Sequence, residues 1–207
     1  MNSKKRIFLL LNFSLVFLIT TVSISAQAEQ SRIAEPSYEA VLHVLAASGQ
    51  AGPGEAVPPA LSSVARQIKG EFGTSGLKVI NTYFGRLSNT GNFEQKGVSS
   101  AYVQEPEVSS PIFVEWNLVG LRTMQNAGGQ DVYQFQGFRF GARVPVRVAT
   151  VASEGGTKSP VFNYEVIGIT LQKMNIRENT PTLLGTLTQG KTEGTLFLVL
   201  TVKNTDK

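Results

Sequence analysis

The chain reads as an α+β protein, an N-terminal βαββ unit followed by an antiparallel β-sandwich-like body. Two observations predict this. A single amphipathic stripe at helical spacing lies near the front of the chain, and everything after Gly76 alternates at period 2, with Asn- and Gly-rich turns between the apolar runs. The expected parts are a signal peptide over 1–28, a leader over 29–37, a small α+β unit over 38–105 and a β-rich unit over 106–207, with the last two able to form one continuous domain.

Met1–Ala28 has the layout of a secretory signal peptide. Lys4, Lys5 and Arg6 make a positive n-region, Ile7–Ile19 is apolar apart from Asn12 and Ser14, and Ala26-Gln27-Ala28 offers the small-x-small pattern of a cleavage site. The apolar run falls short of the roughly 20 residues that cross a bilayer. The expected location is therefore the periplasm or the extracellular space, and retention as an N-terminal anchor is the alternative. Removal of this segment takes three cations and no acid. Sixteen basic residues then face 15 acidic ones, which gives no overall electrostatic case for nucleic acid. The chain has no cysteine, so disulfides and a lipid-modified cysteine are both excluded. Its single histidine, His43, rules out a multi-histidine metal site.

The elements follow in order. Tyr38–Ala47 (YEAVLHVLAA) places Tyr38, Ala40, Leu42, Val44 and Ala46 on one face and Val41 and Leu45 on the other, a strand covered on both sides. Ser48–Glu55 is a Gly/Pro loop. Pro58-Pro59 opens the helix, whose stripe is Leu61, Val64, Ala65, Ile68 and Phe72, with Arg66, Gln67 and Lys69 opposite and Gly73 as the stop. Leu77–Leu87 is β-branched and aromatic. Ser88-Asn89-Thr90-Gly91 is turn chemistry, and Asn92–Val103 is expected as the returning hairpin partner. Ile112–Arg122 and Asp131–Phe140 flank a second turn at Gln125–Gly129. Ala142–Val151 continues as strand, with Pro145 confined to an edge or bulge. After the Ser153–Pro160 loop come strands at Phe162–Ile176, Thr182–Leu187 and Thr195–Lys203. The last of these, TLFLVLTVK, is apolar on both faces and is expected to be central or doubly covered.

The order strand, loop, helix, strand, hairpin over Tyr38–Val103 resembles the periplasmic ring-building domains of secretins, which run βαββα. It departs at the fifth element, where Ile112–Arg122 reads as a strand. Val166–Lys203, with its ENTPTLLGTL turn and closing TLFLVLTVK strand, is similar to the C-terminal pattern of the same family, although the GDIPVLGxLF signature is missing. The resemblance implies partners in an envelope, secretion or pilus assembly and carries over no functional residue.

No motif declares a chemistry, and a non-enzymatic protein without cofactor or metal is expected. His43 lies mid-strand without the carboxylate and nucleophile of a catalytic relay and reads as a core or interface histidine. Glu105 and Glu107, two apart around Pro106, read as a solvated loop rather than a glycosidase pair. Gly128-Gly129 and Gly155-Gly156 open no helix and lack phosphate-loop spacing. The aromatic residues are more informative. Trp116, Tyr133, Phe135, Phe138 and Phe140 fall on two adjacent strands with Phe113, with Tyr133 and Phe135 on one face and Phe138 and Phe140 on the other. One set fills the core, and the other is a candidate interaction surface unless a further layer covers it. Arg139, Arg143 and Arg147, four apart on a strand, share a face and form a basic ladder suited to an acidic partner. The leading expectation is action through protein–protein contact, including contact between copies of the chain. A binder holding a hydrophobic or glycan ligand against Trp116 and Phe138 is the alternative.

Overall fold

The computed structural model describes residues 37–47, 55–74, 76–88, 91–99, 111–152, 158–189 and 194–206. The signal peptide, the leader up to Pro36, the Glu105/Glu107 segment and the Gly155-Gly156 turn lie outside the described residues. Ten strands are described: β1 (Ser37–Ala47), β2 (Glu55–Ala56), β3 (Leu77–Ser88), β4 (Phe93–Ser99), β5 (Ile112–Val119), β6 (Arg122–Gln125), β7 (Asp131–Ala152), β8 (Lys158–Arg177), β9 (Thr182–Gln189) and β10 (Gly194–Asn204). A 3₁₀ turn at Pro59–Leu61 runs into the helix α1 (Ser62–Phe72). All described strand pairs are antiparallel.

Sheet A has the order β2-β3-β1-β10-β9, and sheet B the order β4-β5-β7-β6 with β8 on the other side of β7. The mostly antiparallel, two-sheet architecture agrees with the expected β-sandwich-like body. The separate βαββ unit does not form. β1 is flanked by β3 on one side and β10 on the other, so the two ends of the chain share one sheet. β4 pairs with β5 rather than with β3. Turn chemistry at 88–91 is equally suited to a tight hairpin and to a step between layers. Here β3 and β4 belong to different sheets, and the Phe93 ring comes to lie over Gly85, where a β-carbon would stand 2.5 Å from it.

The apolar patterns explain the layering. The inner faces of both sheets meet in one core, in which Leu42, Val44, Leu198 and Leu200 of sheet A face Trp116, Phe135, Phe138 and Phe140 of sheet B. A second, smaller core lies on the outer side of sheet A, where α1 places Leu61, Val64, Ala65 and Ile68 against Leu45, Phe197 and Val199. β1 and β10 need an apolar layer on both faces there, and the helix supplies it. Gly73 caps α1 in the left-handed region, at φ 64°, and its N–H donates to Lys69 O at 3.1 Å. Phe72, expected in the buried stripe, remains 46% exposed at the last turn and meets Phe197 edge-on at 5.1 Å between ring centres.

Sheet B carries a transverse break that the sequence pattern hides. β7 buries Tyr133 and Phe135, then Phe138, Phe140, Ala142 and Val144, so its inward parity changes at Gln136–Gly137. Opposite on β8, Lys173 takes φ 52°, and the inward positions shift from Leu171 to Met174 and Ile176. On the other side, Gly120 takes φ 67° between β5 and β6. The three irregularities line up across the sheet and turn it in one step. A β-carbon at Gly120 would stand 2.7 Å from the Gln136 side chain, so this position needs glycine for both space and dihedral.

Candidate interaction surface

The break decides the fate of the aromatic residues. Because the parity change sends both pairs inward, Tyr133, Phe135, Phe138 and Phe140 all join the central core, and Trp116 packs beside them. Each is at most 1% exposed. Trp116 Nε1 donates to Gln95 Oε1 at 2.9 Å, and its ring meets Phe93 at 4.7 Å. Tyr133 stacks edge-on against Tyr38 at 5.2 Å. Burial, and then the Glu178 carboxylate beside it, push the Tyr133 phenol above its ordinary range. The expected aromatic surface is therefore core, and the alternative site for a ligand against Trp116 and Phe138 has no exposed face. Trp116 is the chain's only tryptophan. Its emission is expected to be blue-shifted and shielded from acrylamide in the native state, then red-shifted and quenched on unfolding. Native-like exposure to quencher would contradict this placement.

The basic ladder is a surface. Arg139, Arg143 and Arg147 lie on the solvent side of sheet B, opposite Thr170, Val166 and Phe162 of β8. Their surroundings differ. Arg139 pairs with Glu115 at 3.3 Å, beside a Lys96–Glu94 pair at 2.8 Å. The bond between Glu94 and Lys96 holds that carboxyl below, and that ammonium above, its usual range. These four residues, with Trp116 and Asn117, line a shallow polar depression of about 140 Å³. Arg147 Nη2 donates to Thr150 Oγ1 at 2.6 Å. Among the described residues, neither Arg143 nor Arg147 forms an ion pair.

Apart from Phe113, one of the aromatic residues of β5, and Pro145, the residues around these two arginines were not singled out in the sequence. Phe113, Val98, Pro145, Phe162, Tyr164 and Val166 share their face by register. The Phe113 and Tyr164 rings meet at 5.8 Å, and the Tyr164 hydroxyl donates to Pro111 O at 3.0 Å. The alternation Phe162, Tyr164, Val166 is visible in the sequence, but alternation alone does not say which side faces water.

Beyond Arg143, β7 outruns β5, and the β7–β8 pair continues alone from Val144–Glu165 to Ala152–Lys158. This two-stranded ribbon is roughly 26 Å long at about 3.3 Å per residue. A bulge at Val148 interrupts it. Among the described residues, no other strand pairs with β8 or with this part of β7. Pro145, which cannot donate to a ladder, sits on that open edge as its chemistry requires. The Tyr164 amide donates to the Asn163 side chain at 2.9 Å.

His43 is half-buried on the outer face of β1, its Nδ1 3.0 Å from Thr82 Oγ1. Burial holds its pKa below 6.5. Between the folded and unfolded values the unfolded chain binds the extra proton, so this group's contribution to stability is lost as pH falls below about 6.5. Among the described residues there is no cluster of three metal-ligating side chains, and no helix is long and apolar enough to cross a membrane.

No family model and no curated protein matches the sequence. Among solved structures, the chain is similar to the secretin domain β-barrel of InvG from the Salmonella SPI-1 injectisome NC-base. The two are 9% identical at a TM-score of 0.30, over 90% of this chain and 67% of that one, a weak structural resemblance.

Proposed function

We propose that the chain is an exported, non-enzymatic protein that acts by β-strand addition, offering the open edges of the β7–β8 ribbon to partners in an envelope or secretion assembly, further copies of itself included. One observation carries this reading: among the described residues, the ribbon presents two unpaired strand edges along the same stretch. An open edge is a row of unpaired N–H and C=O groups, which templates pairing with another strand. A ribbon of two strands is marginal in water by itself, so a partner strand on either side adds to its stability. Export rests on the n-region, apolar run and cleavage pattern of residues 1–28.

The test is a shortened ribbon. Replacing Arg147–Phe162 by a two-glycine turn removes most of the open edges, all but the first three pairs of the ribbon, and leaves the core, whose last buried residue on β7 is Val144. The variant is expected to melt as the parent does. In sedimentation velocity over a wide concentration range it should stay monomeric, and in envelope extracts it should lose the mass the parent gains. Identical association of parent and variant, at either level, would remove the ribbon from the mechanism.

A further inference from the structure

The solvent side of sheet B ends in an apolar band four strands wide. Val98, Phe113, Arg143 and Val166 stand side by side across β4, β5, β7 and β8, and Pro145 with Tyr164 forms the next row. Val98 is 65% exposed and Val166 68%, while Phe113 and Tyr164 are also open to solvent. At about 4.8 Å between strands the row is roughly 15 Å across. Behind it runs a row of Lys96, Glu115, Gly141 and Gly168, whose two glycines raise no rim. On β7 and β8 the band therefore has no rim to wall a groove of the kind that seats a helix or an extended peptide.

Charge and symmetry narrow the occupant further. Glu94 with Lys96 and Glu115 with Arg139 cancel, so among the described residues the surplus within the band is carried by Arg143 and Arg147, with Lys158 on the same side at the far end of the ribbon. Both arginines stand inside the apolar band rather than around it. The other face of the ribbon is also apolar at its outer end, where Val151, Ala149 and Val161 are exposed. A protein docked on one face leaves the other in water, and a strand added at an edge covers neither. An interface that is flat, anionic and able to surround the ribbon meets all three conditions.

We propose that this band is a membrane-surface site for anionic lipid. Val98, Phe113, Tyr164 and Val166 enter the boundary between headgroups and acyl chains, and the Arg143 and Arg147 guanidinia take lipid phosphates while their stems lie along the apolar band. The site uses the faces of the ribbon and is independent of pairing at its edges.

The experiment is vesicle flotation with the chain from Glu29 onward, which keeps the whole compact unit Pro36–Lys207. Vesicles of phosphatidylcholine alone are compared with vesicles that also contain phosphatidylglycerol. The expected result is flotation with the anionic vesicles, reversed by salt. Arg143→Ser and Arg147→Ser should each weaken it about fivefold, the effect of one cation at an anionic leaflet. Tyr164→Ser and Val166→Ser should weaken it already at low salt. Arg143→Lys should retain most of the binding, and Lys69→Ser on α1 should change nothing. All these positions are on the surface, and equal thermal melts verify folding. Absence of flotation with anionic vesicles overturns the proposal. So does binding that survives the Arg143→Ser/Arg147→Ser pair, or a loss in Lys69→Ser as large as in Arg143→Ser.

Discussion

A chain ending at Gly194 should be recovered only as insoluble or proteolysed material. β10 lies inside sheet A, paired with β1 from Tyr38–Asn204 to Ala46–Leu196 and with β9 on its other side. Its removal takes Leu196, Leu198, Leu200 and Val202 from the central core, and Phe197 and Val199 from the core beneath α1. Each such side chain is worth about 1.5–3 kcal/mol of burial, so the six together match or exceed the roughly 5–15 kcal/mol that holds a whole domain together. The backbone adds to the damage, because β1 loses one ladder of hydrogen bonds and β9 its neighbour in the sheet. Far-UV circular dichroism and limited proteolysis of the truncated chain make the check. A soluble fragment with the parent's spectrum would mean that β10 is peripheral and the topology of sheet A is wrong.

The same strand shows what can be read from sequence. β10 is legible because both of its faces are apolar within nine residues, a local fact. The helix is legible for the same reason: Leu61, Val64, Ala65 and Ile68 repeat at helical spacing, and Gly73 supplies the left-handed cap. The arginine ladder follows from strict period 2 over Arg139–Arg147, a stretch free of irregularity. What failed was non-local. Whether the turn at 88–91 returns within a sheet or crosses to another depends on where β5 stands, and no residue of the turn records that. The parity change at Gln136–Gly137 is matched by positive-φ positions at Lys173 and Gly120, which are 36 and 17 residues from Gly137 in the chain but beside it in the sheet. A period-2 count along β7 alone therefore puts Phe138 and Phe140 on the face opposite Tyr133 and Phe135, whereas all four point inward. The candidate surface moved with it, from the aromatic residues of β7 to Phe113, Tyr164 and Val166, which alternate as core strands do and differ only in having no layer above them.

Ile68→Asp should unfold the chain or cost it several kcal/mol, while Arg66→Asp on the same helix should be nearly silent. Ile68 is fully buried among Leu61, Val64, Phe197 and Val199, where sheet A and α1 close the smaller core. An aspartate there loses the burial of an isoleucine and places a carboxylate where no cation is part of the cluster. An unpaired buried charge is among the few single changes that cost more than about 4 kcal/mol. The carboxyl relieves part of that cost by taking up a proton, so the variant's deficit should shrink as pH falls toward its raised pKa. Arg66 is two residues earlier and points to solvent on the opposite side of the helix, where reversal of charge stays within about 0.5 kcal/mol. Thermal melts of the two variants at neutral and acidic pH separate these cases. Equal shifts for Ile68→Asp and Arg66→Asp would show that α1 does not pack by the face assigned to it, and that the outer side of β1 and β10 is covered by something else.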